Sequence, residues 1–160
     1  MLSRLVKSQV CALRNFKALQ NKFQMNFAVV RKFTKEHEWV DYDEEAKTGT
    51  IGITAYAAQE LGDIVHIEFP DVGTKFKVGE SIGSIESVKV AADVYAPVDG
   101  EIEQINEIVN EDPALVNQDP NLNWFLKLKV TNEAQIRELF TEKQYQRFLE
   151  DLKSGNAGSH

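Results

Sequence analysis

The sequence predicts a mainly β domain, a small flattened barrel or sandwich of short antiparallel strands, with a short helix near residues 54–61 and C-terminal helices. From Phe33 onward, short β-forming stretches are separated by turn residues such as Gly, Pro and Asp. Strands and helices do not alternate, so a parallel nucleotide-binding sheet is not expected. A helical repeat of apolar residues begins only after Thr131. A chain of 160 residues is long enough for one such domain with its own core.

The first elements are two strands and a helix. Residues 38–42 alternate between apolar and polar, residues 43–49 form a polar turn, and residues 50–53 resume a strand. Thr54 is a suitable N-cap for a helix over residues 55–61, which the following glycine, Gly62, ends.

The next strands follow at short intervals. Residues 64–69 are rich in β-formers, and alternation places Val65, Ile67 and Phe69 on one face and His66 on the exposed face. Four further strands are expected, at residues 75–77, 81–87, 90–96 and 101–106.

The last part of the chain combines a strand with helices. Residues 124–130 alternate as a strand, and Thr131 or Asn132 is a suitable cap for a helix that contains Ile136, Leu139 and Phe140. A second apolar stripe follows, which predicts a helix packed against the sheet: Tyr145, Phe148, Leu149 and Leu152. Residues 154–160 are expected to be a disordered tail.

The N-terminal segment differs in charge from the rest. Residues 1–32 contain seven basic residues and no Asp or Glu, and Arg4, Lys7 and Arg14 share one helical face. This pattern is typical of a mitochondrial transit peptide, so we expect residues 1–32 to be a leader and the protein to reach the mitochondrial matrix. A basic arm that binds nucleic acid or a membrane is the alternative.

The part after the leader is strongly acidic, because it holds all 25 acidic residues of the chain. We expect no nucleic-acid partner, since phosphates would be repelled, and no membrane span. The single cysteine, Cys11, lies in the leader, so any sulfur chemistry would come from an attached cofactor. Three dispersed histidines predict no metal site.

A lysine lies at the bend of the most regular predicted hairpin. Strands 81–87 and 90–96 are separated only by Val88 and Lys89. A bend lysine is solvated and accessible to another enzyme, as a covalent attachment site must be. The same spacing also fits an ordinary surface hairpin that happens to carry a lysine.

The segment around Lys89, I-E-S-V-K-V-A-A-D-V-Y-A-P-V-D-G-E-I, resembles the lipoyl-attachment segment of the glycine cleavage system H protein. Four other segments resemble the same family in the same order: H-E-W-V, G-I-T-A-Y-A-A-Q-E-L-G-D-I-V, L-V-N-Q-D-P and W-F-L-K-L-K-V. The resemblance covers about residues 33–152, which implies a lipoyl-carrier domain of lipoyl/biotinyl-type hybrid fold over residues 33–153.

The resemblance implies a carrier without catalytic residues of its own. Lys89 is the residue that carries covalently bound lipoate, and Glu86, Ser87 and Val88 are read by lipoylating enzymes. The arm takes an aminomethyl group from glycine decarboxylase to aminomethyltransferase and electrons to dihydrolipoamide dehydrogenase. Glu38 and Ile53 match positions of a groove in which the loaded arm is parked.

Some segments of the sequence also fit other protein classes. Gly79–Gly83 fits the G-x-S-x-G pattern of hydrolases, but a turn precedes the serine and a strand follows it. Biotinyl domains typically have Met on both sides of the lysine, and lipoyl domains of 2-oxoacid dehydrogenases have Asp before it, whereas this chain has Val88 and Val90. A lipoate reservoir that relays lipoate to other enzymes stays open, as does an acidic adaptor with an unmodified hairpin.

Overall fold

The computed structural model describes residues 29–155, which form two antiparallel sheets with helices at their margins. The strands are β1 (Val29–Phe33), β2 (Glu38–Asp43), β3 (Thr48–Ile53), β4 (Ile64–Glu68), β5 (Lys75–Phe76), β6 (Ser81–Ser87), β7 (Ala91–Tyr95), β8 (Gly100–Ile105) and β9 (Leu126–Val130). The helices are α1 (Ala55–Leu61), α2 (Glu107–Glu111), α3 (Ala114–Gln118), a 3₁₀ helix (Glu133–Glu138) and α4 (Glu142–Lys153).

The larger sheet has the order β1-β2-β3-β9-β8-β5, and the smaller one has the order β4-β6-β7. The expected mainly β architecture is confirmed. Of the two predicted forms, barrel or sandwich, the described residues form a sandwich of two sheets and no closed barrel. The smaller sheet is built from strands near in sequence, whereas the larger one joins β3 to β9, more than 70 residues later.

One apolar core serves both sheets. Ile51 and Leu126 from the larger sheet and Ile67, Ile82 and Val94 from the smaller one belong to a single cluster and are at most 1% exposed. Sharing the core fixes the smaller sheet, and therefore the hairpin β6–β7, relative to the rest of the domain.

The helix α1 has the predicted bounds and caps. The Thr54 hydroxyl accepts a hydrogen bond from the Ala57 amide at 3.3 Å. At the other end, Gly62 adopts φ 76° and ψ −149°, a conformation that only glycine adopts without strain.

The C-terminal helices differ in their caps and extent from the prediction. Asn132 makes no side-chain cap bond, and the 3₁₀ helix after it buries Ile136 but ends at Glu138. Leu139 and Phe140, which were predicted to lie in this helix, follow it instead, and Phe140 pairs with Phe33 of β1. The true cap of α4 is Thr141, which forms a reciprocal capping box with Gln144. Ser154 ends α4, and residues 156–160 of the predicted tail lie outside the described residues.

Helix α4 packs against the start of the larger sheet through its aromatic residues. Tyr145 is buried, and its ring stacks on Phe33 with centroids 4.7 Å apart. Its hydroxyl lies 2.8 Å from Nδ1 of His37 and 2.9 Å from the Thr54 hydroxyl. Burial lowers the pKa of His37, which favours the neutral ring in this network.

Three features were not expected from the sequence. Val29–Phe33 forms β1, so residues 29–32 of the predicted leader belong to the sheet, and residues 1–28 lie outside the described residues. Helices α2 and α3, five residues each, follow β8 where no element was predicted.

The placement of Val65 on the face of Ile67 was wrong. The pairing of β4 with β6 shifts between Ile64 and His66, so Val65 is the extra residue of a β-bulge. The bulge keeps Ile64 and Ile67 buried on either side and leaves Val65 55% exposed, with His66 exposed as predicted.

Candidate functional site

The hairpin β6–β7 presents Lys89 at its bend. Pairing runs from Ser81 opposite Tyr95 to Glu86 opposite Ala91, so the bend is the short segment after Ser87. Ile85 and Val94 anchor the two strands in the core. Val88, Lys89 and Val90 are all exposed at the tip. The lysine therefore stands on a rigid support but is itself open to solvent.

The hydroxyl of Ser87 fixes the shape of the bend. Its oxygen accepts hydrogen bonds from the Lys89 and Val90 amides, each at 3.1 Å, and it donates to the Val90 carbonyl at 3.1 Å. The Ser87 amide also donates to the Val90 carbonyl at 2.8 Å. The serine hydroxyl thus bonds backbone amides of the bend that have no partner in the hydrogen-bond ladder between β6 and β7.

A neighbouring loop holds the bend from outside the hairpin. The Val88 amide donates to the Asp63 carbonyl at 3.0 Å. Asn117 of α3 secures that loop on both sides: its amide nitrogen donates to the Gly62 carbonyl at 2.8 Å, and its oxygen accepts from the Ile64 amide at 2.9 Å. A side chain 28 residues after the lysine therefore helps to position it.

The side chain of Lys89 lies against Gly62. A Cβ atom built on Gly62 would be 3.2 Å from Cε and 3.3 Å from Nζ of the lysine. The missing side chain at Gly62 thus leaves room for the aliphatic stem of Lys89, and its left-handed φ is the second reason for glycine here.

The other predicted recognition residues lie with Lys89. Glu86 is exposed at the last pair of the hairpin, opposite Ala91, and Val88 is 66% exposed. Ser87 is partly buried beneath the bend. The structure therefore brings Glu86, Ser87, Val88 and Lys89 together in one continuous tip.

The predicted groove residue Glu38 lies at a separate pocket of about 430 Å³. It is only 2% exposed, and one carboxylate oxygen accepts from the Thr34 hydroxyl while the other accepts from the Tyr95 amide at 3.1 Å. Burial raises the pKa of Glu38, and these hydrogen bonds oppose the rise. No cation pairs with Glu38 within residues 29–155.

Ile53 is placed differently from Glu38. It lies directly opposite Glu38 in the β2–β3 pairing, but its side chain is buried in the core rather than in the pocket wall. The pocket instead lies between the start of β2, the end of β7 and the segment before α4, with Phe33, Tyr95, Pro97 and Phe140 in its walls.

The tip and the pocket lie at opposite ends of β7. Lys89 precedes the strand, and Tyr95, which donates to Glu38, ends it. A five-residue strand spans roughly 17 Å. A group attached to Lys89 can thus approach Glu38 only by lying back along the hairpin.

Sequence reasoning missed Asn117 and the loop that it secures. Asn117 is 53 and 55 residues from its two partners, so no local pattern reveals the contact. The helical cap signal at Gly62 was visible in the sequence, but its contact with Lys89 was not.

Comparison with known proteins identifies the family to which this arrangement belongs. The family model described as "Glycine cleavage H-protein" matches residues 31–152. A glycine cleavage system H protein of Thermotoga maritima is 44% identical over 120 residues, which are 74% of this chain and 95% of that protein. One of Carboxydothermus hydrogenoformans is 46% identical over 121 residues, 75% of this chain and 92% of that protein.

A solved structure agrees. The crystal structure of a glycine cleavage system H protein from Mycobacterium marinum matches with a TM-score of 0.69 and 32% identity, covering 77% of this chain and 98% of that one. The family match at residues 31–152 includes the hairpin β6–β7 and nearly all of both sheets. The chain therefore belongs to the glycine cleavage H-protein family.

Proposed function

We propose that this protein is the lipoyl-lysine carrier of a glycine cleavage system and that Lys89 is the attachment site. The observation that carries the proposal is the tip itself: an exposed lysine at a bend whose backbone is held by Ser87 and by the Asp63 carbonyl. Such a bend offers the amine to a modifying enzyme without unfolding the hairpin.

The residues present fit covalently bound lipoate. The amine of Lys89 can form an amide with the lipoyl carboxyl group, and its stem is free on the surface next to Gly62. Bound lipoate supplies a dithiolane that is reduced as it accepts a group and reoxidised afterwards. Glu86 and Val88, exposed on either side of Ser87, are the contacts that we assign to lipoylating enzymes.

In this role the chain carries the attached group, and its partner enzymes catalyse the reactions. The aminomethyl group comes from glycine decarboxylase and passes to aminomethyltransferase, and dihydrolipoamide dehydrogenase takes the electrons. A rigid domain with a tethered reactive group suits such visits, because tethering raises the effective concentration of the group at each docked enzyme.

We further assign to Glu38 the retention of the loaded arm, with Ile53 supporting it from the neighbouring strand. A buried carboxylate without a cationic partner in the described part of the chain is costly to ionise. A protonated aminomethyl amine in the pocket would supply the missing positive charge. The position at the far end of β7 is compatible with an arm laid back along the hairpin.

We place the carrier in the mitochondrial matrix, with the leader removed before the sheet begins. The support is the basic, acid-free segment of residues 1–32, nearly all of which precedes the family match that begins at residue 31. The relatives named above are bacterial, and their matches cover about three quarters of this chain. Among residues 29–155, no helix has the length and apolar character that crossing a membrane requires.

The test is the intact mass of the protein isolated from its native cells, with peptide mapping around Lys89. A lipoyl increment on Lys89 is expected. Lys89→Arg should abolish carrier activity in a reconstituted glycine cleavage assay and leave the melting temperature unchanged. Lys75→Arg is the matched control, because Lys75 is a highly exposed lysine on the other sheet.

The outcomes separate the alternatives. Full activity of Lys89→Arg would overturn the assignment. A biotinyl increment would indicate carboxyl transfer, and an unmodified lysine would indicate an adaptor. Lipoylated protein that supports lipoate transfer to other enzymes but no glycine cleavage would indicate a reservoir.

A further inference from the structure

An exposed valine from a different strand accompanies the valines of the hairpin tip. Val88 and Val90 flank Lys89 and are 66% and 49% exposed. Val65 is 55% exposed, and its neighbour Ile64 lies opposite Ser87 in the β4–β6 pairing. We call these three residues, Val65, Val88 and Val90, the valine surface.

A β-bulge in β4 exposes Val65. The bulge inserts one extra residue into β4, so that Ile64 and Ile67 stay in the core and Val65 turns to solvent beside the bend. Bulges of this kind re-aim a side chain, and they are frequent next to functional sites. Val65 is exposed one residue after the Ile64–Ser87 pair, at the end of β4 that adjoins the attachment hairpin, which distinguishes it from a scattered exposed apolar residue.

The segment that carries Val65 is held firmly against the tip. The Asp63 carbonyl accepts from the Val88 amide at 3.0 Å, and Asn117 bonds to Gly62 and Ile64 on either side of it. These bonds hold the two backbone segments that carry the valine surface in one fixed relation, although they come from separate parts of the chain.

The charges around the patch specify the complementary partner. Asp63 and Glu86 are exposed beside Val65 and Val88. A partner that covers the patch would present apolar side chains at its centre and basic side chains at its edge.

We infer that the valine surface is the docking site of the enzyme that acylates Lys89 and that Val65 is a recognition residue in addition to the hairpin. The inference rests on the proposed function. It commits to this partner because the acylating enzyme must contact the tip to reach Nζ, and the patch is continuous with that contact.

The step that this docking serves is an acyl transfer from lipoyl adenylate. The Lys89 amine attacks the acyl carbon, an amide bond forms, the bond from that carbon to the phosphate oxygen breaks, and AMP leaves. The amine gives up a proton to solvent, and no electrons are exchanged with a further reactant.

The experiment uses the full domain and a lipoate–protein ligase supplied with lipoate and ATP. Val65→Ser should raise the KM for the carrier about tenfold, which corresponds to losing one buried valine side chain at the contact, and leave kcat within twofold. Val65→Ile should behave like the unsubstituted protein. The circular dichroism spectrum and melting temperature of each variant verify the fold.

Val72→Ser is the matched control. Val72 is 58% exposed, but it follows the opposite end of β4, beyond the pairing of Glu68 with Ser84. The KM of the ligase for the Val72→Ser variant should equal that for the unsubstituted protein. Equal KM values for Val65→Ser and Val72→Ser would overturn the inference. Absence of lipoylation on Lys89 of the unsubstituted protein would instead overturn the proposed function.

Discussion

At the scale of single residues, the site depends on a few side chains that hold the backbone around Lys89. Ser87 supplies the hydroxyl within the bend, Asn117 secures the neighbouring loop, and Gly62 leaves space for the lysine stem. None of the three needs to touch an attached group. Their common effect is to hold the backbone beneath the lysine in one conformation, which lowers the entropy lost on docking.

Ser87→Ala should slow lipoylation of Lys89 several-fold while unfolding free energy falls by only about 1 kcal/mol, because the bend loses its side-chain bonds at an exposed position. Initial rates of lipoylation and urea denaturation measure the two effects. Ser81→Ala is the control, since its hydroxyl bonds to Asp93 and Gly83 at the other end of the strand. Equal lipoylation rates for the two variants would contradict the role given to Ser87.

Glu38 gives a prediction about pH. Burial raises its pKa above the ordinary 4.5, so the folded state holds its proton more tightly than the unfolded chain. The stabilising contribution of the protonated group is complete below 4.5 and is lost as pH rises through the folded-state pKa. Relative to the unsubstituted protein, Glu38→Gln should therefore gain stability as pH rises above 4.5.

Urea denaturation at several pH values measures this difference. Stability curves that stay parallel would show that Glu38 does not titrate with a raised pKa. The same variant should hydrolyse its aminomethylated arm faster at neutral pH, while its lipoylation rate stays unchanged. Equal hydrolysis would remove Glu38 from the proposed role.

At the scale of elements, local patterns predicted most strands, and long-range contacts account for what they missed. The strands predicted at residues 38–42, 81–87 and 124–130 correspond to β2, β6 and β9, although β9 begins only at Leu126, and the helix at residues 55–61 has its predicted bounds. Each repeats one period between clear turn signals. Helices α2 and α3 are too short for a period to show. Val65 departs from alternation because Ile64 and Ile67, which are three residues apart, are both buried in the core, and the bulge between them leaves Val65 exposed.

The site was predicted to a similar extent. The bend, Lys89 and its flanking residues are contiguous in sequence, so they could be identified together. The Asn117 contacts and the pocket around Glu38 join segments that lie 50 or more residues apart. Their geometry follows from the packing of the two sheets, which no local pattern encodes.

Helix α4 is attached to the sheet through one tyrosine hydroxyl as well as through its rings. Tyr145→Phe should lower the unfolding free energy by about 2 kcal/mol, because His37 and the buried Thr54 hydroxyl both lose a partner while the stack on Phe33 persists. Chemical denaturation measures the loss.

Tyr95→Phe serves as the comparison, because Tyr95 is 36% exposed and lies on the smaller sheet. A loss for Tyr145→Phe no larger than for Tyr95→Phe would show that the hydroxyl network contributes nothing to the attachment of α4.

At the scale of the whole molecule, β1 decides where a functional chain must begin. It forms the edge of the larger sheet and pairs with β2. The guanidinium group of Arg31 donates two hydrogen bonds of 2.6 Å, one to each carboxylate oxygen of Asp41. Phe33 also exchanges two backbone hydrogen bonds of 2.9 Å with Phe140. Cleavage after Phe33 would delete this strand and expose the ring of Tyr145 in α4, which stacks on Phe33.

A chain that begins at Ala28 should therefore keep its melting temperature, whereas one that begins at Thr34 should melt about 10 °C lower or more. Thermal unfolding of the two truncated chains measures this. The processed N-terminus in the intact-mass experiment should correspondingly lie at or before Val29. Equal melting temperatures would show that β1 is dispensable and that later cleavage is tolerated.

The position of β9 has a consequence for the order in which the molecule can form. β9 lies in the middle of the larger sheet, between β3 and β8, although it is the last strand within residues 29–155. During synthesis from the N-terminus, the two halves of that sheet cannot be joined until residue 130 has left the ribosome. The larger sheet is therefore completed only after most of the described residues have been synthesised.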